Sequence, residues 1–394
     1  MSEPNPRSGE TLYTNSFWLL CLAHIVASTT GFALLLLPRH IRQVGGDEID
    51  IGLLAATASL AGIGIRPISG YLADRVGRRT VFLLGGLTAS LSFLLYPYLE
   101  SVHLPYYLVR ILHAFGAGSL FNAFFTYAAD ISPRARRTEG IAIFGISGML
   151  GGLLGPWLAE EILERSEFET LFFALSLLSA LSLILTLFLP RRSSHNEPIR
   201  ESISFRSLIM NHSLGTPWLV GALFGFGLGT IFTFLEPLSH SRNIQNITSY
   251  MGWYCVSASL LRILGRRLPD RLGPQILLPP CLISFSVSAL LLSHAQTVTD
   301  LAVAGALGGL GHGFVFPILL SACVNRSPER YRGRAIALIT ISIDTGSILA
   351  GPFSALVIRN VGYPEAFQIA SGICLLGAIL FLTCDRTPSS PPPS

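Results

Sequence analysis

Twelve apolar runs fill this chain almost from end to end. Each is long enough, at about 20 residues, to cross the hydrocarbon layer of a bilayer as a helix. In that layer every backbone N–H and C=O must be satisfied internally, and helices achieve this run by run. The first six runs are Ser16 to Pro38, Asp50 to Leu72, Thr80 to Leu99, Leu104 to Ala129, Gly140 to Ala159 and Thr170 to Leu189. The second six are Pro217 to Leu238, Ser249 to Leu268, Pro274 to Ser293, Leu301 to Val324, Ala335 to Ile358 and Ala366 to Cys384. A polar stretch, Arg191 to His212, separates the two sets. Twelve spans at roughly 22 residues use about 260 positions. Eleven loops and two tails share the rest, too dispersed to build a soluble domain. The expected class is all-α and membrane-integral, with function confined to helices and short loops.

Composition agrees. Charged residues are 13% of the chain, against about 25% in ordinary soluble proteins, and 50% are hydrophobic. Mean hydropathy is +0.56. So much apolar surface needs the lipid bilayer to cover it, which excludes a soluble enzyme. The net charge of +4 rests on 27 arginines without a single lysine. They sit in short bursts between apolar runs instead of on one patch, so they argue against nucleic acid. Alternate loops hold 17 of them and the tails add Arg7 and Arg386. The opposite face has only Arg39, Arg42, Arg165, Arg242 and Arg359, together with Glu160, Glu161, Glu164, Glu167 and Glu169. The positive-inside rule then places both termini in the cytoplasm. The first run is a full span and not the short core of a cleavable signal, so it is expected to stay as an anchor, in a bacterial inner membrane. All six cysteines fall within the runs at spacings that imply neither a disulfide nor a metal site, and no cofactor is expected.

The two sets of six are copies of one another. Arg66, Leu72, Asp74, Arg75 and Gly77 recur as Arg262, Leu268, Asp270, Arg271 and Gly273, each displaced by 196. Gly155-Pro156 recurs as Gly351-Pro352 at the same displacement, and Ser132-Pro133 as Ser327-Pro328 at 195. Equal offsets at separated places mark a duplication of the parallel type found in secondary transporters. The expected domains are residues 1–190 and 214–394, six helices each, joined by a linker at 191–213.

At these residues the chain resembles the major facilitator superfamily. Gly70-Tyr71-Leu72-Ala73-Asp74-Arg75-Val76-Gly77-Arg78-Arg79 is similar to its signature between helices 2 and 3. Arg110 to Gly116 resembles the helix 4 signature of its proton antiporters, with His113-Ala114 departing from the usual Gln-Gly. Gly151-Gly152-Leu153-Leu154-Gly155-Pro156 resembles the antiporter signature of helix 5. The sugar-porter and nitrate-porter signatures are missing, which favours the drug:proton antiporter branch. The resemblance implies two pseudo-symmetric six-helix bundles that expose a central cavity to each side in turn.

Several residues then acquire expected roles. Asp74, Arg75, Arg78 and Arg79, with Asp130 as a natural partner, form a cytoplasmic gate, in which Gly70 and Gly77 permit close approach and a tight turn. By resemblance, Asp74 docks at the start of span 11, near Arg334, when that mouth shuts. Asp270, Arg271 and Gly273 make a thinner second cluster, because Pro274 stands where Arg78 repeats. Gly151, Gly155, Pro156, Gly351 and Pro352 combine close packing with helix bending. Ionisable residues inside a span cost about 2.5 to 3.5 kcal/mol on insertion scales, so a functional reading is their default. Asp344 is the only carboxylate in mid-span and is the expected proton carrier, its proton held more tightly unless Arg110 or another cation approaches it, with an ion pair or a satisfied polar contact as the alternative. Arg110 and His113 are one turn apart; His24 and Glu236 are further coupling candidates, although an intramembrane histidine can simply hydrogen-bond across helices, and Glu236 can be an outer gate. The family's cavity is lined mainly by helices 1, 4, 7 and 10, where Phe115, Asn122, Phe226 and His312 stand.

An aromatic cavity with few charges suits a small amphipathic organic compound. The expected function is its proton-coupled efflux by a monomer. A metabolite or metallophore porter running as importer, uniporter or exporter is the alternative. A membrane enzyme would need clustered catalytic residues that the sequence does not offer, and an ion channel would betray itself by single-file conductance.

Overall fold

The computed structural model describes residues 12–133, 136–190, 212–244, 246–265, 268–326 and 332–385. The polar linker lies outside them, as do the side chains of Asp74, Asp270 and Arg334. Helix α1 is Asn15–Ala33, prolonged through a 3₁₀ turn, Leu34–Leu36, into Leu37–Gln43. There follow α2 (Glu48–Arg75), α3 (Arg78–Leu95), α4 (Leu104–Ile131), α5 (Arg137–Leu163) and α6 (Phe168–Leu187). The second half has α7 (His212–Ser241), α8 (Thr248–Leu264), α9 (Leu268–His294), α10 (Val298–Asn325), α11 (Arg332–Asn360) and α12 (Tyr363–Cys384). Eleven of these are long and apolar enough to cross a membrane, and α8, at 17 residues, is the short one.

Local chemistry sets the helix ends. Thr14 caps α1 by accepting the Phe17 N–H at 3.2 Å. Asp47 accepts from Ile49 and Asp50 at 2.9 and 3.0 Å while the Asp50 carboxylate takes the Asp47 N–H, a reciprocal box that starts α2. Proline enters α4 and α12 in the first turn, where its missing N–H costs nothing. Gly77 has φ +97° between α2 and α3, and its repeat Gly273 has φ +73° inside α9. Both left-handed turns suit glycine alone. Helix α9 begins at Leu268, six residues before the expected start, because the chain coils up to this Gly273 kink and resumes.

Packing repeats with the sequence. In the first half α1 packs on α5 and α6, α3 on α4 and α6, and α2 on α4; adding six to each number gives the principal pairs of the second half. Small residues make the closest crossings possible. A Cβ on Gly151 would collide with Ser28, and one on Gly225 with the Ile343 carbonyl. Between the halves, α2 meets α11 and α5 meets α8. Helices α5 and α11 continue through Pro156 and Pro352, so neither proline interrupts its helix. The molecule's perimeter is apolar: Leu84, Leu87 and Leu91 follow one another along α3 at 49, 56 and 51% exposure. Only lipid makes such a surface tolerable. This is a multi-pass integral membrane protein.

Candidate functional site

A cavity of about 330 Å³ lies between the halves, lined by Phe32, Leu54, Arg110, Phe232, Asp344 and Ser347 among others. On the face opposite the arginine-rich loops it is sealed by a clasp of charges. Arg39 Nε on α1 donates to Glu236 Oε1 on α7 at 2.5 Å. Arg42 donates to Glu48 at 3.1 Å and to Tyr363 Oη at 2.5 Å, and Tyr363 donates to Glu48 at 2.9 Å. Glu160 on α5 reaches across to the start of α8, accepting the Ile247 N–H at 2.6 Å and the Thr248 hydroxyl at 2.5 Å. A carboxylate there satisfies unpaired N–H groups and meets the positive end of the helix dipole. Beneath the clasp the backbones of α2 and α11 touch: a Cβ on Gly52 would stand 2.5 Å from Gly351 O, and one on Gly351 2.5 Å from Gly52 O.

Deeper in, Arg66 Nη1 on α2 donates to Asp344 Oδ2 on α11. Asp344 therefore has a cation, but it is Arg66; Arg110 shares the cavity wall. The two side chains are 31 and 23% exposed, so the pair is half-buried. Arg66 is braced from its own half. Its guanidinium lies 5.9 Å from the Phe121 ring centroid, and Asn122 Nδ2 on α4 donates to Arg66 O at 3.2 Å and to Ser69 Oγ at 3.0 Å. This pair joins the halves at the cavity, below the clasp. The structure is thus closed at the face opposite the arginine-rich loops.

Other expected site residues fall elsewhere. His24 Nδ1 meets Ser147 Oγ at 2.7 Å, and His113 Nδ1 meets Ser92 Oγ at 3.0 Å. Each serine spends its own proton on a carbonyl, Phe144 O and Ala89 O, so each imidazole donates from Nδ1. Both rings are buried within the first half, His113 turned onto α3 against Phe93 while Arg110, one turn away, faces the cavity. His312 pairs with Tyr254 Oη inside the second half. Glu236 belongs to the clasp. Phe115, 37% exposed, lies on the outer stripe of α4 with Leu104 and Leu108, and Phe226 packs on Phe353; neither lines the cavity. Phe32 and Phe232, 6.4 Å apart, supply its aromatic wall instead. Asn122 ties α4 to α2 and also stays off the wall. Arg66 lies six residues inside the end of the second run, and its repeat as Arg262 is the signal that singles it out.

At the arginine-rich face Arg78 Nε donates to Asp130 Oδ2 at 3.2 Å, as its position after α2 suggests. Arg75 lies 5.1 Å from the Tyr71 ring centroid, while Arg79 and Arg271 stand at the same face. A Cβ on Gly70 would come no closer than 3.7 Å to Asn122 Nδ2, so close approach does not demand glycine there. The second half adds contacts of its own at this face. Asp385, past the end of α12, receives Arg326 at 2.7 Å, and its carbonyl receives Gln275 at 3.1 Å. The pairing of Asp74 with Arg334 involves side chains outside the described residues.

Twelve helices in two bundles with repeated packing, around a cavity where Arg66 and Asp344 join the halves, fit a secondary transporter of the parallel-repeat type. The family model of the Major Facilitator Superfamily matches residues 18–299 and 218–394, and the chain belongs to that superfamily. It is 25% identical over 390 residues to the multidrug resistance protein MdtG of Klebsiella pneumoniae (strain 342), covering 95% of this chain and 93% of that one. To MdtG of Escherichia coli (strain K12 / DH10B) it is 24% identical over 380 residues, covering 92% and 91%. Among solved structures, the nucleoside transporter NupG superposes with TM-score 0.79 at 15% identity, covering 95% of this chain and 100% of that one. The human organic anion transporter MFSD10 superposes with TM-score 0.68 at 19% identity, covering 93% and 100%. The protein is a transporter of this superfamily, and its relatives are transporters and not enzymes.

Proposed function

We propose that this protein exports small amphipathic organic compounds in exchange for protons, by alternating access across a bacterial inner membrane, as a monomer with both termini in the cytoplasm. The observation that carries the reading is the Arg66–Asp344 ion pair, which joins the two halves at the cavity. A proton on Asp344 removes the negative charge and frees Arg66, so protonation and release of this ion pair between α2 and α11 are one event. Substrate in the cavity competes with that event, because two ligands that weaken each other share one coupling free energy. The halves at 1–190 and 214–394, joined by 191–213, rock about the cavity. In the arrangement seen, the Arg39–Glu236 and Glu160–α8 contacts hold the outer mouth shut. Asp74, Arg75, Arg78, Arg79 and Asp130, with Asp270, Arg271 and Arg334 opposite, close the cytoplasmic mouth in the other state. The names of the MdtG relatives support efflux of drug-like molecules, and the arginine distribution supports the orientation.

The test is proton release. Thermal-shift screening of the purified protein supplies a binding compound, which is then added in weakly buffered solution. Wild type should release protons as it binds, and Asp344→Asn should bind without release. Equal release from both would remove Asp344 as the carrier and leave Glu236 as the next carboxylate to test.

A further inference from the structure

The duplication that repeats Arg66 as Arg262 does not repeat its partner. Asp344 less the offset of 196 is position 148, a glycine. Arg262 sits on α8 and is half-buried against α5, as Arg66 sits on α2 against α11. Its Nε donates to Gly313 O at 3.1 Å, which fixes the guanidinium plane. Its Nη1 points at the glycine wall of α5, where a Cβ on Gly145 would lie 3.8 Å away. Among the described residues no carboxylate pairs with it. A desolvated guanidinium without a counter-charge is costly to keep, and its remaining donors suit a planar or tetrahedral oxyanion.

The surroundings connect this cation to the cavity. Tyr254 and His312, bonded to each other, stand beside it, His312 being next in sequence to the Gly313 that holds Arg262. Phe232, a cavity wall residue, lies 5.6 Å from the Tyr254 ring. Phe32, another, would be 3.6 Å from a Cβ on Gly152, which in turn faces Cys255 at 2.9 Å. An aromatic wall therefore runs from the cavity along α8 to Arg262.

We infer that Arg262, flanked by Tyr254 and His312, binds the anionic head group of an amphipathic substrate whose apolar body occupies the cavity beside Phe32 and Phe232. The substrate supplies the carboxylate, sulfonate or phosphonate that Gly148 does not. This deepens the efflux reading and rests on it, but it is tested by binding alone, with no gradient, so proton coupling through Asp344 stands or falls separately.

The experiment uses the purified full chain in an uncharged detergent near neutral pH, titrated with 1-naphthoate, 1-naphthalenemethanol and 1-naphthylmethylamine. These share a ring system and differ in charge. One charge-assisted contact predicts that wild type prefers the naphthoate over the alcohol by roughly tenfold or more. Arg262→Gln should erase that preference by bringing naphthoate affinity down to that of the alcohol. Gly145→Asp, which sets a carboxylate against Arg262, should erase it too, and Gly145→Asn should keep it. The last pair separates charge from bulk should one variant pack poorly. A wild type that binds all three alike or binds none, or an Arg262→Gln variant that still prefers the naphthoate, would overturn the assignment. So would competition by phosphatidylglycerol but not phosphatidylcholine for the naphthoate, which would make the site one for a lipid head group.

Discussion

Deleting one partner of the Arg66–Asp344 pair leaves the other charge half-buried between two bundles. Fully buried pairs lose about 3 to 5 kcal/mol when broken, and exposure of a quarter to a third discounts this to roughly 1 to 2 kcal/mol. Arg66→Gln should therefore lower the thermal midpoint of the purified protein measurably, and the reversed double variant Arg66→Asp with Asp344→Arg should regain part of the loss. Additive losses in the double variant would mean that the two side chains do not interact. The histidines make a contrasting prediction. His113→Gln can still offer an amide proton to Ser92 Oγ, so transport and its pH dependence should stay close to wild type. Loss of pH response in that variant would return His113 to the coupling path. Phe232→Ala should weaken substrate binding and Phe115→Ala should not, because only the former lines the cavity.

At the scale of elements, the two contacts between the halves differ in kind. Helices α2 and α11 touch backbone to backbone at Gly52 and Gly351, whereas α5 and α8 are joined by Glu160 at a helix start. A methyl group at Gly351 would meet Gly52 O at 2.5 Å, and backbone cannot yield as a side chain can. Gly351→Ala should thus disfavour the arrangement with the outer mouth shut, and Glu236→Gln should do so by loosening Arg39. Labelling of single cysteines at the outer mouth, in a background with Cys384 replaced, should rise in both variants; unchanged labelling would show that the clasp does not hold the mouth. Helix count, order and the duplication were legible in sequence because hydrophobic length and a fixed offset leave few alternatives. The turn at Gly77 was legible for the same kind of reason, since a glycine two residues past Asp-Arg, between apolar runs, marks a chain reversal, whereas the matching kink at Gly273 came from the structure. Which face of α4 meets the cavity was not. Phe115 and Phe121 look alike in a helix that is apolar all round, and only packing against α2 and α3 decides between them. The ion pair was half legible: Asp344 stands out as a lone mid-span carboxylate, but its partner is 278 residues away.

For the whole molecule, alternating access requires two rigid halves, one membrane orientation and one exchange per cycle. Cysteines introduced at Ser194 and Ser166 should react with an impermeant thiol reagent from the cytoplasmic and outer sides respectively, and labelling of both from one side would break the twelve-span topology. Asp74→Asn should shift the population toward cytoplasm-open states and raise labelling at that mouth, with unchanged labelling and normal transport removing the gate. The central claim is that the pair joining the halves is also the proton site, and it is tested most directly in liposomes holding purified Asp344→Asn. The variant is neutral and nearly isosteric. It should lose uphill substrate movement driven by an imposed pH difference, yet retain substrate exchange at equal concentrations on both sides. Accumulation against the substrate gradient, driven by that pH difference in the absence of the Asp344 carboxylate, would contradict the account.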